Sequence, residues 1–327
     1  MRNAARFLVV ALVFGGCGST DDDDGVDPVT PTPAPRVSVP AAGDHEVTLR
    51  FDGVDRRYLL HVPAGLGPEP VPVVMSLHGG GGSAPQHQRQ VGLDPIADRE
   101  GFVAVYPEGV GRTVLHTWNA GPYCCGPAAR TDVDDVGFLA AVLDDVAARV
   151  AIDPDRVVVA GHSNGAMMAS RFGAERPELV VAVVAVSAVA APAQVPDRPV
   201  PLLQIHSVDD PRALYEGGEG PPFPGTDSTV VHFAVRDALA AWAASDGCDP
   251  TPVESDPVVA ADGHTATRVE WRGCDAPVVH LRLTGAGHGW PGAVVRTAAI
   301  TGAETTVVDA SEELWSFAAA LGAPGDR

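Results

Sequence analysis

Apolar and polar positions alternate along this chain with two different periods, and the switches between them mark out its elements. Val47 to Phe51 and Arg57 to Val62 read as two strands joined at Asp52-Gly53, a dipeptide that suits a tight hairpin turn because both positions tolerate positive φ. Val71 to Leu77 is a continuous apolar run that ends in His78 and four glycines, and Phe102 to Tyr106 is another that ends at Pro107. Such runs suit strands buried on both faces. From Asp134 to Val150, apolar residues fall at 138, 139, 142, 143 and 146, the helical period, and Asp153-Pro154 breaks it. A short β-branched strand, Val157 to Ala160, then leads into Gly161 and a helix beginning near Ser163. Leu179 to Val186, Leu202 to Ile205 and Val278 to Leu283 are further predicted strands, and Val230 to Ala244 and Ser311 to Leu321 further helices. This alternation predicts an α/β fold: a mostly parallel central sheet, helices on both faces, and an antiparallel edge made by the opening hairpin. No internal repeat is visible, and 327 residues suffice for one large core.

The first 42 residues follow neither period. Arg2 and Arg6 precede an apolar stretch, Phe7 to Phe14, which is shorter than the ~18–20 residues of a spanning helix. With small residues after it, this is the layout of a signal peptide. Phe14-Gly15-Gly16-Cys17 resembles a bacterial lipoprotein cleavage box, in which the Cys becomes the lipidated first residue. Residues 1–17 are therefore expected to be a lipoprotein-type signal, with plain secretion as the alternative. Residues 18–42 carry four Asp and a stretch rich in Pro and Thr, which buries nothing and reads as a solvated tether. A calcium loop fails there: the register that puts Gly25 sixth puts Pro31 where the bidentate Glu should stand. One domain is expected from residue 43 to 327.

Charge narrows the partners. Formal net charge is −20, from 22 basic and 42 acidic side chains, and every basic residue is Arg. Such a surface repels nucleic acid and anionic lipid, so membrane contact is expected only through a lipid at Cys17. The expected state is a monomer, extracellular or on the cell envelope.

The chemistry centres on Gly161-His162-Ser163-Asn164-Gly165, a match to G-x-S-x-G. Here a strand leads in and a helix leads out, the context in which this pentad makes a sharp turn that presents a nucleophilic Ser. A Ser hydroxyl needs a base, and in this arrangement an acid and then a His follow the nucleophile in the chain. Among later histidines, His232 falls in a predicted helix, His280 in a strand, His264 in a turn, and His206 precedes an acidic pair. His288 sits in Gly285-Ala286-Gly287-His288-Gly289-Trp290-Pro291-Gly292, a loop after the last strand, and is the expected base. Asp209 and Asp210 follow the strand Leu202 to Ile205. Asp210 is favoured because Pro211 fixes the turn beside it, with Asp209 the alternative. Asp134 and Asp135 precede the nucleophile and read as N-terminal charges on the following helix. The oxyanion of the reaction needs unobstructed backbone N–H donors, one expected from Asn164 and one from the glycine loop after His78. With no Lys in the chain, that loop is not a Walker-type phosphate loop.

With these residues in place, the chain from about residue 45 onward resembles the polyhydroxybutyrate depolymerase-like esterases of carbohydrate esterase family 1, which includes feruloyl and acetylxylan esterases. The motifs are Leu77-His78-Gly79-Gly80, Tyr106-Pro107-Glu108-Gly109, Trp118-Asn119-Ala120-Gly121, Cys124-Cys125-Gly126, Val133-Asp134-Asp135-Val136-Gly137-Phe138 and Asp153-Pro154-Asp155-Arg156-Val157, then the serine pentad and Gly287-His288-Gly289-Trp290-Pro291-Gly292. The resemblance implies an α/β-hydrolase fold and a triad of Ser163, Asp210 and His288, the acid because His206-Ser207-Val208-Asp209-Asp210-Pro211 matches the family's acid motif. It also implies Gly80 as the second oxyanion donor, and Trp118 and Trp290 as walls of the substrate cleft, with structural anchors of their loops as the alternative.

Removing Cys17 leaves four cysteines, an even number in an exported chain. Cys248 and Cys274 are expected to pair. Cys124 and Cys125 are adjacent, so both a vicinal disulfide and a buried reduced pair stay open. No metal or cofactor is expected. The expected function is hydrolysis of feruloyl or acetyl esters of poly- or oligosaccharides through an acyl-enzyme. A polyhydroxyalkanoate depolymerase or oligomer hydrolase is the alternative, and a peptidase a weaker third. Because the chain ends soon after its last predicted helix, a soluble or oligomeric ester is expected rather than an insoluble polymer. The reading from another class is a non-catalytic, glycan-binding surface lipoprotein.

Overall fold

A computed structural model describes residues 40–112, 115–121, 124–223, 229–295 and 298–321. The expected signal segment, Cys17 and nearly all of the tether lie outside the described residues. Among the described residues, eleven strands form the main sheet. From one edge to the other they run Gly43–Phe51, Val54–Val62, Val103–Pro107, Val71–Leu77, Ile152–His162, Ala182–Val186, Leu202–Ser207, Val278–Thr284, Thr265–Glu270 and Val253–Glu254, with Val258–Val259 also paired to Thr265–Glu270. The strands from Val103–Pro107 through Val278–Thr284 pair in parallel. The opening hairpin is antiparallel, with Phe51 opposite Val54 and positive φ at Asp52 and Gly53, as the turn dipeptide requires. The opposite edge is antiparallel too, which the sequence did not announce: two of its strands have only two residues each.

The buried runs are strands because they face apolar neighbours on both sides. Val73, Met75 and Leu77 enter one core cluster and Val74 the other; Val157 and Val159 likewise oppose Val158 and Ala160. One face is covered by helices Asp135–Arg149, Asn164–Glu175 and Val235–Ser245, through Phe138, Leu139, Phe172, Leu239 and Trp242. The other is covered by Ala84–Val91, Leu93–Glu100 and Ala310–Leu321, through Leu93, Ile96 and Leu314. This is the α/β-hydrolase layout.

Local corrections follow from packing. The helix predicted from Val230 begins at Val235, and His232 lies in a two-residue strand, Val231–His232. Asp153-Pro154 falls inside the strand Ile152–His162, where the pairing register shifts and Pro loses no ladder bond. Asp134 accepts from Gly137 N at 2.8 Å as a helix cap. Asp135 does more than serve the helix dipole: it is fully buried, 2.8 Å from Arg56.

Register also positions the loops. Leu77 lies opposite Gly161, His162 opposite Val186, Val186 opposite Ile205, and Ser207 opposite Leu283. The C-terminal ends of five parallel strands therefore form one rim. The strand order reverses between Val71–Leu77 and its two neighbours, so the crevice of this sheet opens there.

Candidate active site

Ser163 stands between the strand Ile152–His162 and the helix Asn164–Glu175, with φ 55° and ψ −122°. A non-glycine residue in this region costs of order 1–3 kcal/mol, so its surroundings must enforce it. They do: Ser163 N donates to Val186 O at 2.8 Å, and Ser163 O accepts from Ala166 N and Met167 N at 2.8 and 3.1 Å. Both glycines of the pentad are sterically required. A Cβ on Gly161 would run into the Gly165 carbonyl, and one on Gly165 into the carbonyl of Leu77.

The rim brings the other expected residues to it. His288 Nε2 lies 2.8 Å from Ser163 Oγ, and His288 Nδ1 lies 2.8 Å from Asp210 Oδ2. A carboxylate only accepts, so Nδ1 carries the hydrogen and Nε2 faces the hydroxyl as acceptor. Asp210 Oδ1 accepts from Arg212 N and Ala213 N at 2.8 and 2.9 Å, which turns the other oxygen inward. Burial pushes the Asp210 carboxyl up. The charge of His288 and the hydrogen bonds from His206 and His288 outweigh burial and hold it far below the usual carboxylate range. Asp209 is exposed and accepts from Gly285 N at 2.7 Å, so it ties two loops together without touching the imidazole.

Three further side chains hold this chain in place. His162 Nε2 donates to His288 O at 2.7 Å, and burial followed by the nearby His288 charge lowers the His162 ring to about 4, so it stays neutral at pH 7. Ser187 Oγ donates to Gly289 O at 3.0 Å. His206 Nε2 lies 3.1 Å from Asp210 Oδ2 and 2.9 Å from Ala213 O. None of these was singled out for this role from sequence. His162 occupies a variable position of the pentad, and His206 opens the acid motif, which are the signals that existed.

The glycine loop lies against the nucleophile turn. A Cβ on Gly80 would sit 3.4 Å from Asn164 Cβ and 3.4 Å from the Phe223 ring. Gly81 N and Gly82 N donate within the structure, to His116 O and Gly79 O. The Asn164 amide is the first N–H of its helix and has no acceptor in that helix. The Asn164 side chain is occupied: Oδ1 accepts from Trp118 N at 2.7 Å, and Nδ2 donates to Trp118 O at 3.0 Å. His78, lowered by burial to about 4, donates from Nδ1 to Gly79 O and accepts Gly109 N–H at Nε2, so both ring nitrogens brace the loop.

The expectation that Trp118 and Trp290 wall a cleft is corrected. Their exposures are 0% and 3%. Trp118 Nε1 donates to His78 O at 2.9 Å and thereby clamps the glycine loop to Asn164. Trp290 Nε1 donates to Ser311 Oγ at 3.1 Å, and its ring meets His87 and His162 edge-on. Both are anchors beneath the site, because the loops that carry them fold inward. Among the described residues a cavity of about 490 Å³ lies beside Cys124. Cys124 is bonded to Cys125, and Cys248 to Cys274 as expected.

Known proteins similar to this chain are esterases. The family model described as "Esterase PHB depolymerase" matches residues 56–280. A protein named as an esterase, NocK of Nocardia uniformis subsp. tsuyamanensis, is 34% identical over 326 residues, covering 89% of this chain and 90% of that one. Feruloyl esterase B of Piromyces equi is 27% identical over 210 residues, 62% of this chain and only 38% of that longer protein. Among solved structures, the acetyl xylan esterase from Aspergillus awamori superposes with a TM-score of 0.58 at 17% identity, over 84% of this chain and all of that one (100%), which is a likeness of fold.

Proposed function

Because the chain belongs to the esterase PHB depolymerase family, we propose that its ester hydrolysis runs through Ser163, with His288 as general base and Asp210 as the carboxylate that orients it. The hydrogen-bond chain from Ser163 Oγ through His288 to Asp210 carries this reading, with both links at 2.8 Å. His288 takes the hydroxyl proton as Oγ attacks the ester carbonyl, and the resulting imidazolium is stabilised by Asp210. The tetrahedral oxyanion accepts from the N–H groups of Gly80 and Asn164. His288 then protonates the leaving alcohol, and water activated at the same nitrogen releases the acid from Ser163.

The substrate we propose is a feruloyl or acetyl ester of a poly- or oligosaccharide, on the strength of relatives named as feruloyl and acetylxylan esterases. A hydroxyalkanoate oligomer is the second reading, favoured by the description of the matching family model. The purified domain lacking residues 1–42 should hydrolyse a short p-nitrophenyl ester, and Ser163→Ala should abolish it. No activity in the wild type, or unchanged activity in Ser163→Ala, overturns the assignment. A panel of methyl ferulate, acetylated xylan and a hydroxybutyrate oligomer ranks the substrates. Export on a lipid anchor belongs to the same proposal. It predicts a mass increase on the mature protein that disappears in Cys17→Ala.

A further inference from the structure

We propose that the cavity beside the nucleophile turn is a carboxylate-binding subsite, which receives an acidic group on the ester substrate remote from the bond that is cut. This rests on the hydrolase reading of Ser163. The cavity, about 490 Å³, is lined by Asn119, Cys124, Arg130, Asp132, Arg171 and Thr229 among others. One end adjoins the reaction: Cys124 Sγ lies 3.5 Å from Asn164 Nδ2. The other end is Arg171, seven residues along the helix that Asn164 opens, hence on the same face and ~10 Å further on. In this proposal a substrate whose carbonyl is held at the Asn164 amide extends past the Cys124–Cys125 pair, which lines the cavity, towards both arginines.

The charges in this space are unusual for the molecule. With 42 acidic and 22 basic side chains, acids outnumber bases across the chain. Inside the cavity the order is reversed. Arg130 is exposed and makes no ion pair or hydrogen bond among the described residues. Arg171 is held by Glu175 and the Asn119 carbonyl, each at 2.7 Å, so its guanidinium is fixed in place. Asp132 is the acidic lining residue, and its Oδ1 is engaged by Asn119 Nδ2 at 3.1 Å. Two guanidinium groups, one ion-paired with Glu175 and fixed, the other without a partner among the described residues, suit a carboxylate, which they bind with charge-assisted and bidentate hydrogen bonds. That carboxylate has two chemical sources: a uronic acid unit of a glycan, or the free acid end of a hydroxyalkanoate oligomer.

Two matched substrate pairs test this. The first is an acetylated xylo-oligosaccharide with and without a uronic acid branch. The second is a hydroxybutyrate trimer as the free acid and as its methyl ester. In the wild type, kcat/KM should favour the acidic member of one pair by about tenfold, mainly through KM, and that pair identifies the source. Arg130→Gln should remove most of this preference and Arg130→Lys should keep part of it. No preference in either pair, or a preference that survives Arg130→Gln, overturns the subsite. Failure of the underlying reading looks different, because Ser163→Ala would then still turn over a neutral p-nitrophenyl ester.

Discussion

The ring of His162 donates a hydrogen bond to the backbone carbonyl of His288 at 2.7 Å. The residue just before Ser163 therefore holds the loop that carries His288. His162→Phe keeps a ring of similar size and removes the donor. Its kcat is expected to fall by about 100-fold, since a base displaced by about 1 Å loses its attack geometry. Leaving the His288 carbonyl unpaired should also cost about 1–3 kcal/mol in urea unfolding. Wild-type kcat in this variant would mean that the Ser187 bond to Gly289 O holds the loop unaided.

Asp210 and Asp209 are neighbours with opposite expected phenotypes. Asp210→Asn should lower kcat by ~10⁴, as loss of the orienting carboxylate does in other serine triads. Asp209→Asn loses only a loop bond to Gly285 N, so less than a tenfold change is expected. Asp210 stays ionised far into acid because its histidine partners outweigh its burial. The acid limb of the wild-type kcat/KM profile should therefore follow one proton, and a two-proton slope would contradict this.

His61 gives a pH dependence remote from the catalytic residues. Burial would lower its pKa, but the hydrogen bond to Asp44, the charge of Asp94 and the hydrogen bond to Asp98 together raise it. The folded value lies above the unfolded one, so this stabilisation is complete below the unfolded value of about 6.5 and fades as pH rises through the folded value. The difference in Tm between wild type and His61→Gln should be largest below pH 6 and shrink towards pH 8. A difference that grows with pH would refute the sign.

The Cys248–Cys274 bridge closes a separation of 26 residues between the helix Val235–Ser245 and the last parallel strand. The loop-entropy relation gives about 3.5 kcal/mol for a closure of this length. Cys248→Ser/Cys274→Ser should lower the denaturation free energy by roughly that amount. Urea titration under non-reducing conditions measures it.

What the sequence disclosed depended on how local each signal was. Val71–Leu77 was readable to the residue because a strand buried on both faces needs apolar side chains throughout. Ser163 was readable because its turn demands glycine two residues to either side. Asp210 was favoured over Asp209 by its neighbour Pro211 and by the acid motif, but the Arg212 and Ala213 amides that aim it inward are a feature of the folded turn. Whether Trp118 and Trp290 wall a cleft or anchor their loops stayed open in the sequence because depth is set by distant packing. The helices Ala84–Val91 and Leu93–Glu100 escaped notice because the first is largely polar and each has only eight residues. His162 and Ser187 were silent for a related reason: their partners stand 126 and 102 positions away.

Ser163 and His288 are themselves 125 residues apart in the chain and meet through one hydrogen bond. Bringing such distant residues together costs loop-closure entropy before the contact rewards it. Turnover that depends on this pair requires the whole intervening sheet to be in place. After dilution from denaturant, turnover should lag behind the return of helical ellipticity, and a partly assembled chain is chemically inert.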